Sequence, residues 1–322
     1  MTGEVIVVGG GVSGLTTAVV LAEQGHRVRV RTREPAELTT SAVAGGLWLP
    51  YRIEPGEQVA RWSVESFAVY EECAADPGTT GVRMVPGVLA GQSPDSLGAW
   101  ARQVGGVRTA RSGELRGAHP RGARARLPLI DMPAHLGWLR RRLEAAGGAV
   151  ESRAVGSLTE AAATAATVVN CTGLAARELV PDPGVRPLRG QLVLVENPGV
   201  TEWFCLEDEA EEAASLSTYL LPQPGRLVLG GTVEDGDRRL EPDPATAAAI
   251  VARCARFFPG VAKARVLGHR VGLRPLRPAG VRIGAEPLPG GGLLVHNYGH
   301  GGAGVTVAWG CARAAAALVP AA

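Results

Sequence analysis

The sequence predicts an α/β fold organised on a Rossmann-like parallel sheet that is discontinuous along the chain, joined to a second mixed or antiparallel sheet that makes an α+β portion. Three observations carry this expectation. The chain opens on an apolar run, Val5-Ile6-Val7-Val8 after Glu4; a glycine-spaced turn and a helical pattern follow at once; and similar short apolar strands return far downstream, at 167–173 and 292–296.

Taken in order, Glu4–Val8 reads as a parallel strand covered on both faces. Gly9-Gly10-Gly11-Val12-Ser13-Gly14 is a G-x-G-x-x-G motif, Leu15 to Glu23 a helix, Gly25 its stop, and residues 26–31 the next strand. In such a unit the glycines permit a tight turn and close backbone approach to a pyrophosphate, while the helix N-terminus offers unpaired N–H groups. Glu34 lies about twenty residues beyond Gly14, where a carboxylate could accept hydrogen bonds from ribose hydroxyls; Arg33 beside it competes for the adenosine. This order of elements favours a dinucleotide over a flexible turn but does not choose FAD over NAD.

Thr39 to Trp48 supplies hydroxyls, the Gly45-Gly46 pair and exposed amides. Residues 57–75 read as a helix, and the Gly- and Pro-rich stretch 76–130 as an inserted, strand-rich region. A helix over 133–147 places Leu136, Leu139, Leu143 and Ala146 on one face, and a strand over 149–158 returns to the first sheet. The strand at 167–173 ends in small residues, as the edge of a cofactor crevice should. Segments 186–196 and 226–233 read as strands of the second sheet, and the acidic, Ala-rich 207–214 as an exposed loop or short helix that could form a lid. The strand at 292–296, the loop Asn297 to Gly304 and a helix over 305–318 make a second candidate anion site.

Composition narrows the chemistry. Gly (44) and Pro (23) together make about one residue in five of 322, which fits many short elements. A net charge of +2 without a basic block argues against nucleic acid, and no apolar run reaches the ~18 residues of a membrane span. Lys263 is the only lysine, so Schiff-base chemistry is disfavoured. The five cysteines are odd in number and form no C-x-x-C pair, and the six histidines show no ligand spacing, so no metal is expected and a reducing, cytoplasmic setting is. No signal segment is visible. A homodimer is compatible with the sequence, although no residue specifies one.

Arg274, in Gly272-Leu273-Arg274-Pro275-Leu276-Arg277-Pro278, could meet a carboxylate bidentately; from pattern alone it reads equally as a surface arginine, and Arg277 as a structural, salt-bridged one. Tyr219 could donate to the same carboxylate or pack half-buried in its strand. Tyr298 and His300 could line a ring or fill a core. Cys171 and Cys205 have no His-Asp partners and read as inert packing, and Trp48, Trp138 and Trp309 as core anchors.

With these residues in view, the chain closely resembles the D-amino-acid oxidase family of FAD flavoproteins, together with the related D-aspartate oxidases. The likeness covers essentially the whole chain: the dinucleotide motif, Ala44-Gly45-Gly46-Leu47-Trp48-Leu49-Pro50-Tyr51, Asn170-Cys171-Thr172-Gly173, Arg189-Gly190-Gln191, Leu229-Gly230-Gly231-Thr232, the segment around Arg274, and His296 through Gly304.

The resemblance implies FAD, with its pyrophosphate over Gly9, Gly11, Val12, Ser13 and Gly14, its adenosine near Arg33 and Glu34, and its flavin near Thr40, Ser41, Gly45, Gly46 and Leu47. Further contacts are implied from Val155, Thr172, Gly173 and Gly299, and from Gly301, Gly302, Ala303, Gly304, Val305 and Thr306. It implies an FAD-binding domain of 1–50, 131–185 and 268–322, and a substrate domain of 51–130 and 186–267. It also implies a D-amino acid whose carboxylate is held by Arg274 and Tyr219 and whose amine donates to the Gly302 carbonyl. The reaction implied is hydride transfer from the α-carbon to flavin N5, with O₂ as acceptor, giving a 2-oxo acid, ammonia and hydrogen peroxide. Leu49, Ser215 and Ala303 depart from residues common in the family, which points to a wider or differently closed pocket. Arg52 could face a side-chain carboxylate, as in a D-aspartate oxidase, or solvent; the acidic run from Glu207 to Glu212 favours neutral or basic D-amino acids. A glycine or sarcosine oxidase-like enzyme is the other rival.

Overall fold

The computed structural model describes residues 4–322 apart from 51–52, 54–55, 209–214 and 290, so Arg52 and most of the acidic run lie outside the described residues. Its strands, in chain order, are β1 (Glu4–Val8), β2 (Arg27–Thr32), β3 (Val82–Ala90), β4 (Arg108–Thr109), β5 (Gly122–Ile130), β6 (Ala149–Ser152), β7 (Thr167–Asn170) and β8 (Arg186–Val195). There follow β9 (Trp203–Leu206), β10 (Leu216–Gln223), β11 (Arg226–Thr232), β12 (Glu234–Asp235), β13 (Val266–Leu276), β14 (Arg282–Pro287) and β15 (Leu293–Tyr298). Among the described residues no helix is long and apolar enough to cross a membrane.

The smaller sheet has the order β14-β15-β7-β1-β2-β6, and every neighbouring pair except β14 with β15 is parallel. Its strand order reverses between β1 and β7, which is where an open α/β sheet leaves a crevice beyond its strand ends. The larger sheet has the order β12-β8-β11-β10-β9-β3-β5-β4, with β13 also paired to β8; β3 with β9 is its parallel pair, so the sheet is mixed as expected. The stretch 268–276, expected with the cofactor portion, is hydrogen-bonded into this larger sheet through β13.

The helix Val12–Glu23 buries almost every residue because it sits between the smaller sheet, the helix Met132–Ala145 and the C-terminal helix Ala308–Ala316. The C-terminal helix also packs on Gly56–Cys73, and Trp48 and Trp309 are buried in the shared core. Trp138 is only partly buried, capped by Arg142, so it is less of a core anchor than expected. Two element ends differ from expectation. β6 stops at Ser152 because Ser157 caps a new helix, accepting a hydrogen bond from the Glu160 N–H at 3.0 Å. The last helix starts at Ala308, because residues 301–307 form a run of turns.

A ring of side chains ties the first helix to the loop after β15. Asn297 Nδ2 donates to Thr17 Oγ1 at 3.0 Å, which leaves Asn297 Oδ1 to accept from His300 Nε2 at 2.9 Å; His300 Nδ1 then accepts from Ser13 Oγ at 3.4 Å, and Thr17 Oγ1 donates to the Ser13 carbonyl at 2.6 Å. This uses His300 as a neutral imidazole. His135, also buried, donates from Nδ1 to the Thr80 carbonyl at 2.8 Å. Burial pulls both imidazoles down from 6.5 to about 4. The unfolded chain binds protons below pH 6.5 that these native groups refuse, so stability is lost as pH falls from about 6.5 toward about 4. Urea unfolding should show a loss of about 2 kcal/mol for each histidine between pH 7 and pH 5. Unchanged stability over that interval would contradict the neutral, buried assignment.

Candidate active site

β1 ends against β7 with almost no room between the backbones. A Cβ on Gly9, whose φ is +121°, would approach the Cys171 carbonyl carbon to 2.8 Å, and one on Gly14 would overlap the Gly9 carbonyl. These two glycines let the turn fold back over the strand end. Gly11, the residue before the helix, carries no capping side chain, and the first helical turn holds no acid. The Val12 N–H donates to Ser41 Oγ at 2.9 Å. The result is an acid-free helix N-terminus at the crevice mouth, a built receptor for phosphate oxygens.

From this turn a cavity of about 570 Å³ runs to the larger sheet. Its walls include Gly9, Gly11, Val12, Ser13, Arg33, Glu34, Thr40, Ser41, Gly45, Gly46, Leu47, Val155, Thr172 and Gly173, then Tyr219, Arg274, Gly301, Gly302, Gly304, Val305 and Thr306. Three expected cofactor residues are not among its lining. Gly14 faces the Gly9 backbone; Gly299 faces Arg277, with a Cβ there 3.0 Å from Arg277 Cβ; and Ala303 is buried in the core, so its small size does not widen the cavity. Arg33 and Glu34, rivals for the adenosine, bond to each other at 2.8 and 3.0 Å.

The Gly45-Gly46 pair is fixed by a residue that sequence reasoning missed. Gln223 Nε2 donates to the Gly45 carbonyl at 3.0 Å and to the Ile130 carbonyl at 2.9 Å, while the Ile130 N–H donates to the Gly46 carbonyl at 2.9 Å. Gly46 has φ +84°, and a Cβ would press on Ile130. Thr306 Oγ1 donates to the Leu49 carbonyl at 2.9 Å and accepts from the Leu49 N–H at 3.2 Å, so the last glycine loop is tied to the 44–49 segment.

Arg274 reaches the cavity because two contacts seat β13 beside the cofactor segments. The Gly301 N–H donates to the Pro275 carbonyl at 3.0 Å, and Thr40 Oγ1 donates to the Leu273 carbonyl at 3.3 Å. The Arg274 guanidinium is half-buried, donates one hydrogen bond, to the Thr232 carbonyl at 3.2 Å, and has no ion pair among the described residues. Arg277 is instead satisfied by Asp182 at 2.8 Å, as expected of a structural arginine. Tyr219 sits opposite Gly230 of β11 and Cys205 of β9, and alternation puts Tyr219 and Leu221 on the cavity side. Glu207, the first residue of the acidic run, lines the cavity, and so do Cys205, expected only as packing, and Leu206, which was missed; the pairing of β9 with β10 is what brings them there. Leu49 lines it, whereas Ser215 does not.

Other candidates fall away. Tyr298 is buried outside the cavity, donating to Asp182 at 2.9 Å and accepting from Arg282 at 3.0 Å. Burial pushes the Cys171 thiol up to about 12 and that of Cys205 higher still, so neither is a thiolate nucleophile. No group of metal-ligating side chains occurs among the described residues.

The glycine-lined turn, the uncapped helix and the long cavity fit a dinucleotide such as FAD. Gly11 tests this cradle: a Cβ there would stand 2.9 Å from the movable Ser41 hydroxyl, so Gly11→Ala should fold normally yet crowd the pyrophosphate. FAD affinity, read from flavin fluorescence, should weaken by about tenfold or more with the thermal midpoint of the apoprotein unchanged. Unchanged affinity would remove Gly11 from the cradle.

Comparison with known proteins agrees with this geometry. A family model described as FAD dependent oxidoreductase matches residues 4–318. The chain is 62% identical to a D-amino-acid oxidase of Streptomyces coelicolor over 317 residues, covering 98% of this chain and 96% of that one. It is 50% identical to a D-amino-acid oxidase of Rubrobacter xylanophilus, again covering 98% and 96%. Among solved structures, glycine oxidase from Geobacillus kaustophilus superposes with a TM-score of 0.80 at 20% identity, covering 98% of this chain and 94% of that one, a likeness of fold. A dinucleotide cradle, a family model spanning nearly every residue and relatives sharing half or more of the sequence lead to one assignment: this chain belongs to the D-amino-acid oxidase family of FAD-dependent oxidoreductases.

Proposed function

We propose that the protein oxidises D-amino acids to imino acids, which water hydrolyses to 2-oxo acids and ammonia, with O₂ reduced to hydrogen peroxide. The observation that carries this reading is the Arg274 guanidinium, which shares one cavity with the dinucleotide cradle and has no ion pair among the described residues. A half-buried cation without a counterion is a receptor for an anion, and its planar fork suits a carboxylate.

Bound FAD supplies the acceptor for the α-hydrogen as hydride; the chain supplies orientation. Arg274 and Tyr219 hold the substrate carboxylate, and the Gly302 carbonyl accepts a hydrogen bond from the amine. Carboxylate and amine are then both fixed, and the α-hydrogen of one enantiomer faces the ring. No side chain is assigned as a base: His300 is the only imidazole lining the cavity among the described residues, and both its nitrogens are engaged in the ring with Ser13 and Asn297. The amine loses its proton to solvent before reaction. Leu49, Leu206 and Leu221, together with the acidic residue Glu207, all lining the cavity, support neutral or basic D-amino acids. The five cysteines, all buried and none in a disulfide, support a cytoplasmic setting.

Anaerobic addition of D-alanine to the purified holoprotein should bleach the flavin absorbance near about 450 nm, and L-alanine should leave it unchanged. Failure of every D-amino acid to bleach it would defeat the reading. Among substrates, D-alanine and D-lysine should outpace D-aspartate; a marked D-aspartate preference would sink the proposed specificity. Arg274→Ala should keep its FAD while kcat/KM falls at least about thirtyfold, since removing one partner of a desolvated charge pair costs about 2 kcal/mol or more.

A further inference from the structure

Arg274 and Tyr219 come from strands that are not neighbours: β13 pairs with β8, β8 with β11, and β11 with β10. Two long side chains meet across that span only if nothing stands between them. The register puts glycine on the path, with Gly272 opposite Gly190, and Gly230 opposite both Leu192 and Tyr219. A Cβ on Gly190 would stand 2.5 Å from Arg274 Cζ and closer still to both terminal nitrogens. A Cβ on Gly230 would run into the Tyr219 ring, and one on Gly231 would come within 3.3 Å of the Tyr219 hydroxyl.

Glycine inside a strand weakens it and packs nothing. Gly190 lies within β8, is buried, and does not take a positive φ, so backbone conformation does not call for it. What its missing side chain does provide is a seat for the Arg274 guanidinium. Ordinary contact between carbon atoms lies at about 3.5–4.0 Å, so a methyl group at this position would lift the guanidinium by about an ångström.

We propose that Gly190 is a positioning residue for recognition of the substrate carboxylate: it is the floor on which the Arg274 fork lies, and Gly230 is the matching floor under Tyr219. The inference rests on the D-amino-acid oxidase reading for the identity of the carboxylate, while the seat itself is a property of the sheet. It makes carboxylate selectivity depend on a residue without a side chain, on a strand that contributes no charge to the site.

The test uses Gly190→Ala in the FAD-loaded protein. The atoms it meets are the far end of a long side chain, so the variant should fold and retain FAD. KM for D-alanine should rise about tenfold or more with a smaller change in kcat, because displacement of about an ångström at an orienting group can cost up to ~100-fold. Affinity for propionate, a carboxylate without the amine, read from the perturbed flavin spectrum, should fall in parallel. In an Arg274→Ala background, Gly190→Ala should change propionate affinity no further, since the group it displaces is gone. If Gly190→Ala alone fails to fold, the double variant should recover folding, which supports the same seat. Wild-type KM and propionate affinity in Gly190→Ala, a full additional loss in the double variant, or failure of both variants to fold would each overturn the proposal. Absence of D-amino-acid turnover in the wild type would instead strike the proposed function, and the propionate titrations would still decide the role of Gly190.

Discussion

The end of β1 lies so close to the end of β7 that Gly9 has no space for a side chain beside the Cys171 carbonyl, and Gly14 has none beside Gly9 itself. This backbone contact sets the origin of the site. It places the uncapped first turn of the Val12–Glu23 helix at the reversal in strand order, where donors with no intrahelical partner face the crevice. The ring of Ser13, Thr17, Asn297 and His300 then fixes that turn to the loop after β15, and the loop's Gly301 holds β13. A cradle for phosphate at one end and a cation at the other are thus joined by a short chain of hydrogen bonds.

The two sheets divide the work. The smaller one supplies backbone donors and close approach, and the larger one supplies Tyr219 and Arg274. Glycine serves both, but for different reasons. Gly9 and Gly46 occupy backbone conformations that side chains avoid, whereas Gly190 and Gly230 leave the sheet surface clear for side chains from other strands. Both nitrogens of the cavity's His300 are engaged in structural hydrogen bonds and the thiols of Cys171 and Cys205 are held protonated by burial, which matches a reaction in which the cofactor carries the electrons and the protein orients the substrate.

Much of this was legible in the sequence because it is written locally. The strand, G-x-G-x-x-G and helix of the first unit, the buried strand before Cys171 and the glycine-rich loop after β15 each carry their signal within about ten residues. What was not legible depends on pairing. Gln223 sits in a turn sequence, Gln223-Pro224-Gly225, that says nothing of the Gly45 carbonyl it holds. Cys205 and Leu206 join the cavity because β9 lies beside β10, and β13 belongs to the larger sheet because it runs along β8. The difference between the two arginines also needed three dimensions: Arg277, in the same Arg-Pro pattern, is paired with Asp182, whereas Arg274 has no ion pair among the described residues.

The central claim is that one cavity brings the dinucleotide cradle and the Arg274 guanidinium together so that a carboxylate is held beside the flavin. A crystal structure of the FAD-loaded protein with propionate bound tests it most directly. The carboxylate should lie within hydrogen-bond distance of the Arg274 guanidinium and the Tyr219 hydroxyl, with the pyrophosphate over Gly9 and Gly11. Propionate bound away from Arg274, or a pyrophosphate elsewhere than at the first helix, would contradict the account.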